Sequence, residues 1–267
     1  MAGQAERTAQ SPWVERGARL GFVAKGLLYA LVGILAIEIP LGLGGKTTDR
    51  QGALRTVAAK PFGEVLLLAL ALGLAGYALW RLVQAFLDRD DEGSGLKGLA
   101  KRAGYLARGV LYGGLSVLAV SIVVGAGSGG SSEQEETARV LDWPLGRWIV
   151  GAAGLGFLAA AGFNGYRAVS QKFRDDLREQ QIDSAARPWV TVVGVVGHAA
   201  RGVVFGLIGL FLVRAAYRYD SKEAIGLDGA LRKLAQASYG SWLLGLVAAG
   251  LVAYALFCFV QARYRRL

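Results

Sequence analysis

The chain carries GFVAKGLLYALVG at residues 21–33, and the same pattern returns as GYLARGVLYGGLS at 104–116 and as GHAARGVVFGLIG at 197–209. A second pattern, YALWRLVQA at 77–85, returns as YALFCFVQA at 254–262. Repeats of this length normally come from one supersecondary unit that is copied and packed against its copies. The sequence therefore predicts three tandem two-helix repeats, which we place at 13–87, 96–170 and 189–262.

The composition is typical of a membrane protein. Hydrophobic residues make up 54% of the 267 residues, 39 residues are glycine, and the mean hydropathy is +0.39. A bilayer-spanning helix needs about 20 mostly apolar residues, and glycine lets helices pack closely in lipid. The segments that qualify as spans are 20–41, 63–86, 104–126, 146–169, 190–213 and 241–262. We therefore predict an all-α polytopic membrane protein with six transmembrane helices, arranged as three repeats around a pseudo-threefold axis.

The distribution of basic residues predicts the orientation. Most of the 30 Lys and Arg residues lie in or beside the N-terminus, the 88–103 and 170–189 connections and the C-terminus, whereas the 20 Asp and Glu residues divide evenly between the two sides. The positive-inside rule counts cations only. The first twelve residues lack the apolar region of a removable signal peptide, so none is expected. Both the polar N-terminus, 1–12, and the basic C-terminus, 263–267, are predicted to be cytoplasmic, in a multi-pass protein of the cytoplasmic (inner) membrane.

The charge and the cysteine content argue against several classes of protein. The sequence pI is near 9.9, but the cations adjoin apolar spans instead of forming a soluble basic face, so we expect no nucleic-acid partner. Juxtamembrane Lys and Arg instead attract anionic lipids of the inner leaflet. Cys258 is the only cysteine. Without a Cys pair or a Cys/His cluster, neither a disulfide, nor a structural zinc, nor another cofactor is expected.

Short amphipathic pieces precede two of the even-numbered spans. They read GALR, at 52–55 and again at 229–232, and we expect each to form a short interfacial helix that leads into the following span. The middle repeat departs from this pattern, because its loop contains the glycine- and serine-rich tract GAGSGGSS at 125–132. On the opposite side, residues 171–183 alternate cations and anions at helical spacing, and we expect them to extend the fourth helix into the cytosol.

These patterns resemble the bacterial membrane family known as domain of unknown function 1206. The resemblance rests on the stripe Gly-x-x-x-[Lys/Arg]-Gly-x-x-[Tyr/Phe] of each odd-numbered span and on the GALR pieces, and it covers nearly the whole chain. It implies a three-repeat, six-span membrane protein. It carries over no catalytic residues.

The most suggestive candidate site is a set of cations at the same position of each repeat, namely Lys25, Arg108 and Arg201. Each precedes an aromatic residue by one turn, and two of these aromatics are Tyr29 and Tyr112; His198 lies one turn before the third cation. The stripe advances four residues at a time, so its side chains share one helix face. Its glycines are expected to pack against neighbouring helices, and they are Gly21, Gly26, Gly33, Gly104, Gly109, Gly197, Gly202 and Gly209.

Three interpretations of the cations are open. Their side chains snorkel to the interface, or they bind anionic lipid headgroups, or they line a vestibule for a bound or permeating anion around the axis. A lone histidine such as His198 is expected to be neutral and hydrogen-bonded to a backbone carbonyl or a tyrosine, with pH sensing as the alternative. Asn164 is expected to join two helices through a hydrogen bond.

No catalytic pattern accompanies the repeats. The sequence has no His-Glu-x-x-His, no Gly-x-Ser-x-Gly and no paired intramembrane carboxylates, so no enzymatic activity is expected. The favoured function is that of a structural or anionic-lipid-binding membrane protein, whose partners are the bilayer and its anionic lipids, with a small anion as a further candidate ligand. The alternative is a channel or small-solute (anion) transporter with a basic cytoplasmic vestibule.

Overall fold

The computed structural model describes residues 12–43, 50–59, 62–88, 93, 95–125 and 133–265. Within these residues the long helices are α1 (Pro12–Ile37), α3 (Gly63–Leu87), α4 (Leu96–Val123), α6 (Gly146–Ser170), α7 (Arg187–Arg218) and α9 (Gly240–Tyr264). The short α-helices are α2 (Arg50–Ala58), α5 (Glu133–Leu141) and α8 (Leu227–Gln236). Each repeat therefore consists of a long helix, a short helix and a second long helix.

The long helices match the predicted spans. Among the described residues, six helices are long and apolar enough to cross a membrane, which confirms the all-α fold with six transmembrane helices. Two of them extend beyond the predicted spans, since α4 already begins at Leu96 and α7 runs on to Arg218. Lys and Arg are good helix formers, so the charged ends of these segments continue the helix beyond its apolar part.

A short helix precedes each even-numbered span, as predicted for the first and third repeats. The apolar residues of the two GALR pieces are fully buried, and they are Ala53, Leu54, Ala230 and Leu231. The middle repeat has its short helix as well, because α5 follows the glycine- and serine-rich tract and buries Leu141. Of that tract, residues 126–132 lie outside the described residues.

The first residue of each even-numbered span is a glycine, which permits a sharp turn between the preceding short helix and the span. A Cβ added to Gly63, Gly146 or Gly240 would overlap the carbonyl oxygen of a residue near the end of the preceding short helix, which is Val57, Val140 or Ala235. The residues before two of these glycines, Phe62 and Tyr239, have φ near +60°. The backbone of each short helix therefore touches the backbone of the span that follows it, and a side chain would separate them.

The described chain divides into two compact units. Unit 1 comprises Met1–Leu27, Leu54–Ser128 and Cys258–Leu267. Unit 2 comprises Leu28–Ala53 and Gly129–Phe257. The division falls inside α1 and α9, so each of these helices contributes residues to both units.

One close approach between helices occurs at three places, between α1 and α9, between α4 and α3, and between α7 and α6. A Cβ on Gly33 would lie 3.0 Å from the carbonyl oxygen of Ala248, and one on Gly209 would lie 2.9 Å from that of Gly154. In the second repeat this stripe position is Ser116, whose Oγ donates a hydrogen bond of 2.8 Å to the carbonyl oxygen of Ala71. Since Ala71, Gly154 and Ala248 occupy the same position relative to the glycines that open their helices, the repeats share one packing register.

The connection after α6 corrects one prediction. Residues 171–183 do not extend the fourth helix, because Gln171 adopts φ 54° and ends it. Two 3₁₀ turns follow, Lys172–Arg174 and Glu179–Gln181. The physical reason lies in the apolar residues of the segment: Phe173 and Leu177 are fully buried, whereas a projecting helix would have carried them into water.

The return from α5 into α6 generates a stability prediction. Replacing Gly146 by alanine should lower the thermal midpoint of the detergent-solubilised protein, because the new Cβ overlaps backbone atoms of Val140 and Leu141 and overpacking of this kind costs about 1–3 kcal/mol. The control is Gly156→Ala in the same helix, where a Cβ meets nothing within 4 Å. That variant should be as stable as the parent or slightly more stable. Equal midpoints for the two variants would contradict the tight return.

Candidate functional site

The structure places the three stripe cations in different surroundings. Lys25 and Arg108 belong to unit 1, and Arg201 belongs to unit 2. Lys25 is only 5% exposed, Arg201 is partly buried, and Arg108 is exposed. The proposed arrangement of the three around one axis stays a prediction, and each unit is therefore described by itself.

In unit 1 cations and tyrosine rings alternate along one row, which we call the cation–tyrosine row: Lys25, Tyr77, Arg81, Tyr105 and Arg108. The Lys25 Nζ lies 5.5 Å from the centre of the Tyr77 ring, and the Arg81 guanidinium lies 5.0 Å from the same ring. Arg81 also lies 5.4 Å from the Tyr105 ring, which Arg108 approaches to 5.9 Å. All four distances are within the range of cation–π attraction.

Arg81 is the centre of this row and is 4% exposed. Its Nε donates a hydrogen bond of 3.0 Å to the Tyr77 hydroxyl, and its Nη1 donates one of 2.7 Å to Oε1 of Gln84. Tyr77, Arg81 and Gln84 are spaced by four and three residues along α3, so they share one helix face. The first copy of the repeat, YALWRLVQA, therefore holds a hydrogen-bonded cation inside a membrane-spanning helix, whereas the copy at 254–262 has Cys258 at the position of Arg81.

Close packing of α1 and α4 fixes the Tyr77 ring. A Cβ on Gly21 would lie 2.6 Å from the Tyr77 Cα, so α1 can approach only because this residue is glycine. Phe22 then meets the Tyr77 ring edge to face with the centres 5.3 Å apart, and Tyr112 does so at 4.7 Å. Such pairs contribute about 0.5–1.5 kcal/mol beyond burial. The row extends past Lys25, because Phe22 lies between Lys25 at 5.9 Å and Arg265 at 5.1 Å.

Unit 2 repeats this design with Tyr254 in place of Tyr77. A Cβ on Gly197 would lie 2.6 Å from the Tyr254 Cα, and Tyr29 meets the Tyr254 ring edge to face at 4.9 Å. The Arg201 guanidinium lies 4.3 Å from the Tyr254 ring, 4.8 Å from that of Phe205 and 5.5 Å from that of Tyr29. Its Nη1 also donates a hydrogen bond of 2.6 Å to the Tyr254 hydroxyl. Three rings thus enclose one guanidinium.

His198 lies beside this cage and is 3% exposed. Its Nδ1 is 2.7 Å from the carbonyl oxygen of Gly194, and because a carbonyl oxygen can only accept, Nδ1 carries the proton. The imidazole stacks on Phe173 with the ring centres 5.1 Å apart. Phe173 fits here because Gly194 has no side chain, and an added Cβ would lie 2.5 Å from its Cζ. The connection after α6 is in this way attached to α7.

Two charged pairs also hold the connection after α6 in place. Arg167 donates a hydrogen bond to Asp176, and Arg174 donates one to Glu179. The hydrogen bond with Glu179 raises the pKa of the Arg174 guanidinium above its ordinary value. Both pairs are partly exposed, so their contribution to stability is small, about 1 kcal/mol or less each.

Among the described residues, the middle repeat has no tyrosine-centred cluster like those at Tyr77 and Tyr254. The position aligned with Tyr77 and Tyr254 holds Ala160. At Gly104, a Cβ would meet no atom within 4 Å in the described part of the chain, so the close packing predicted for this glycine is absent. Asn164 also differs from its prediction, because its Nδ2 donates to the carbonyl oxygen of Ala160 in the same helix, at 2.7 Å, instead of joining two helices.

The remaining stripe glycines lie against neighbours. Gly26 is buried. A Cβ on Gly109 would lie 2.8 Å from the Leu82 side chain, and one on Gly202 would lie 3.4 Å from the carbonyl oxygen of Ala161. The Gly109 contact is with the end of a flexible side chain, so this glycine is less constrained than Gly21 or Gly197.

Sequence reasoning missed two arginines that bind helix ends. Arg102 donates to the carbonyl oxygens of Ala85 and Phe86 at the end of α3, at 2.7 and 3.2 Å. Arg19 donates to those of Ala262 and Arg263 at the end of α9, at 3.0 and 2.7 Å. Arginine side chains can satisfy the last carbonyls of a helix in this way. The sequence did contain a signal for them, because each arginine lies two residues before the first stripe glycine of its repeat, which is Gly21 or Gly104.

Metal-binding geometry is not found in the part of the chain that the structure describes. No group of three or more His, Cys, Asp or Glu side chains there is placed to hold a metal ion. Cys258 is buried and lies at the position aligned with Arg81.

Comparisons with known proteins agree with the repeat pattern. The family model described as Domain of Unknown Function (DUF1206) matches residues 20–88, 103–171 and 196–265. The chain is also similar to the uncharacterized protein YxxB of Bacillus subtilis (strain 168), with 33% identity over 96% of this chain and 93% of the relative. No solved structure matches significantly.

The Arg201 cage yields a test of the packing in unit 2. The Tyr254→Phe substitution removes the hydroxyl that accepts the hydrogen bond from Arg201 and should destabilise the protein by about 1.5–3 kcal/mol, the usual value for a buried hydrogen bond to a charged group. Tyr217→Phe is the control, because Tyr217 is 80% exposed. The thermal midpoints of both variants in detergent measure the difference. A Tyr254→Phe midpoint equal to that of Tyr217→Phe would mean that the hydroxyl contributes nothing.

Proposed function

The chain belongs to the DUF1206 family, a domain of unknown function, and we propose that it is a non-enzymatic integral membrane protein that binds anionic lipids. One observation carries this proposal: both units hold a cation inside a membrane-spanning helix, against tyrosine rings. Lys25 does so in unit 1 and Arg201 in unit 2. Lys25 lies near the middle of α1 (Pro12–Ile37) and Arg201 near the middle of α7 (Arg187–Arg218), so each long side chain must extend along its helix to reach a headgroup.

The energetics favour a role beyond packing. A Lys or Arg at the centre of a span costs about 2.5–3.5 kcal/mol on insertion scales, and such residues are usually functional. A cation–π contact offsets only roughly 0.5–2 kcal/mol, and it leaves the positive charge in place. Phosphate headgroups of anionic lipids are the counter-charge that the membrane itself supplies. Each basic residue near an anionic surface contributes on the order of 1 kcal/mol of attraction.

The N-terminal ends of two odd-numbered spans carry further cations that strengthen the attraction. Lys97 and Lys101 are exposed near the start of α4, and Arg16 is exposed near the start of α1. We propose that these ends face the cytoplasm and its anionic leaflet, with both termini cytoplasmic, because this side holds most of the basic residues.

Native mass spectrometry tests the proposed ligand class. The protein purified in mild detergent should retain added phosphatidylglycerol in preference to phosphatidylcholine, since only the former has a net negative charge. Equal retention of both lipids would contradict lipid binding through charge. Retention of a small anion in place of lipid would favour the channel or transporter alternative.

Cysteine labelling in whole cells tests the orientation. Ser184 and Ser238 are exposed in the structure, and the native Cys258 is buried, so single substitutions at the two serines give clean probes. A membrane-impermeant maleimide should label Ser238→Cys in intact cells and Ser184→Cys only after lysis. The reverse pattern would place the termini outside.

A further inference from the structure

We propose that the exposed end of the cation–tyrosine row, formed by Lys101, Tyr105 and Arg108 on α4, binds the phosphate group of one anionic lipid. This inference rests on the proposed function and adds to it a location and a ligand chemistry. The three residues follow one another at spacings of four and three, so they lie on one face of α4. Lys101 and Arg108 are exposed, and Tyr105 is partly buried between them.

The buried part of the row makes this end strongly positive. Arg108 shares the Tyr105 ring with Arg81, and Arg81 shares the Tyr77 ring with Lys25. Arg81 and Lys25 are 4% and 5% exposed, so water screens their charges poorly and their fields add at the exposed end. Arg81 is buried and donates to Tyr77 and Gln84, so it contributes charge, whereas the exposed Arg108 is accessible to a lipid. A guanidinium suits a lipid phosphate, because its fork of donors matches phosphate oxygens.

The depth of the two exposed cations fits a headgroup phosphate. Gly104 marks the start of the apolar span predicted in this helix, and Arg108 lies four residues beyond it, about 6 Å further along the axis. Lys101 lies three residues before Gly104, on the polar side. The pair therefore straddles the boundary at which lipid phosphates lie.

The surface next to the site is apolar, which favours a lipid over free phosphate. Leu111 lies three residues beyond Arg108, about one turn further into the span and on the same side of α4, and it is 46% exposed. An acyl chain can cover Leu111 while its phosphate rests on Arg108, whereas an inorganic anion would leave it exposed.

The described residues of unit 2 do not repeat this combination of an exposed arginine with a buried one behind it. Arg201 is enclosed by the rings of Tyr254, Phe205 and Tyr29, and it donates to the Tyr254 hydroxyl. At the position of Arg81 the third repeat has Cys258, so no second cation stands behind Arg201 on its even-numbered helix. The phosphate site therefore lies in unit 1.

Native mass spectrometry of the full chain with added phosphatidylglycerol tests this site. Arg108→Gln should lower retention of the lipid about ten-fold, the equivalent of one charge-assisted hydrogen bond, and Arg108→Lys should lower it less. The matched control is Arg147→Gln, which removes an exposed cation at the start of α6 with the same change in net charge. Its retention should stay within about two-fold of the parent.

The possible outcomes separate this inference from the proposed function. If Arg108→Gln retains as much phosphatidylglycerol as Arg147→Gln, the site is wrong, and the proposed function still stands as long as the parent prefers phosphatidylglycerol to phosphatidylcholine. If inorganic phosphate added in millimolar excess displaces the lipid, the lipid assignment is overturned. Should Arg108→Gln fail to give a monodisperse peak, Lys101→Gln replaces it, with an expected loss of about five-fold and the same control.

Discussion

Helices in a bilayer gain little by burying apolar side chains against one another, because lipid tails are equally apolar, so close packing must hold them together. In this protein the close packing comes from contacts between the backbones of two helices at positions with small residues. Gly21 lets α1 reach the Cα of Tyr77, and Gly197 lets α7 reach that of Tyr254. These close approaches fix the positions of the two tyrosine rings. The rings in turn hold the stripe cations Lys25 and Arg201. The placement of these two positive charges therefore depends on the absence of a side chain at Gly21 and Gly197.

Much of this architecture could be predicted from the sequence. The six spans, the three repeats and the short helices of the first and third repeats follow from hydropathy and from self-similarity, which report on a single helix at a time. The contacts between residues of different helices could not be predicted from these two signals. Spacing by four placed Lys25, Arg108 and Arg201 on equivalent faces, but burial of the first and exposure of the second depend on what packs opposite them. Tyr77 and Tyr254 begin the two copies of a repeated sequence, which indicated that they matter. The repeat did not indicate which residues they contact.

The failed predictions share one cause. Residues 171–183 alternate charges like a helix, yet Phe173 and Leu177 are drawn into the protein and break that pattern. Asn164 bonds within its own helix because the carbonyl oxygen of Ala160 lies one turn away. In each instance the prediction followed the polar residues alone, and a nearby apolar side chain or backbone carbonyl decided the result. The repeats also differ from one another at a position that carries a polar or reactive side chain, because the aligned residues there are Arg81, Asn164 and Cys258.

The arginines at the helix ends have a consequence for biogenesis. Arg19 belongs to α1, and the carbonyl oxygens it binds, those of Ala262 and Arg263, belong to α9, which is translated later. Gly33 likewise packs against Ala248 of α9. On insertion during translation, α1 therefore enters the bilayer before α9, and Arg19 and Gly33 meet these partners only when α9 follows. Arg102, whose partners at the end of α3 precede it in the chain, has no such delay, so α4 can dock on α3 before α9 docks on α1.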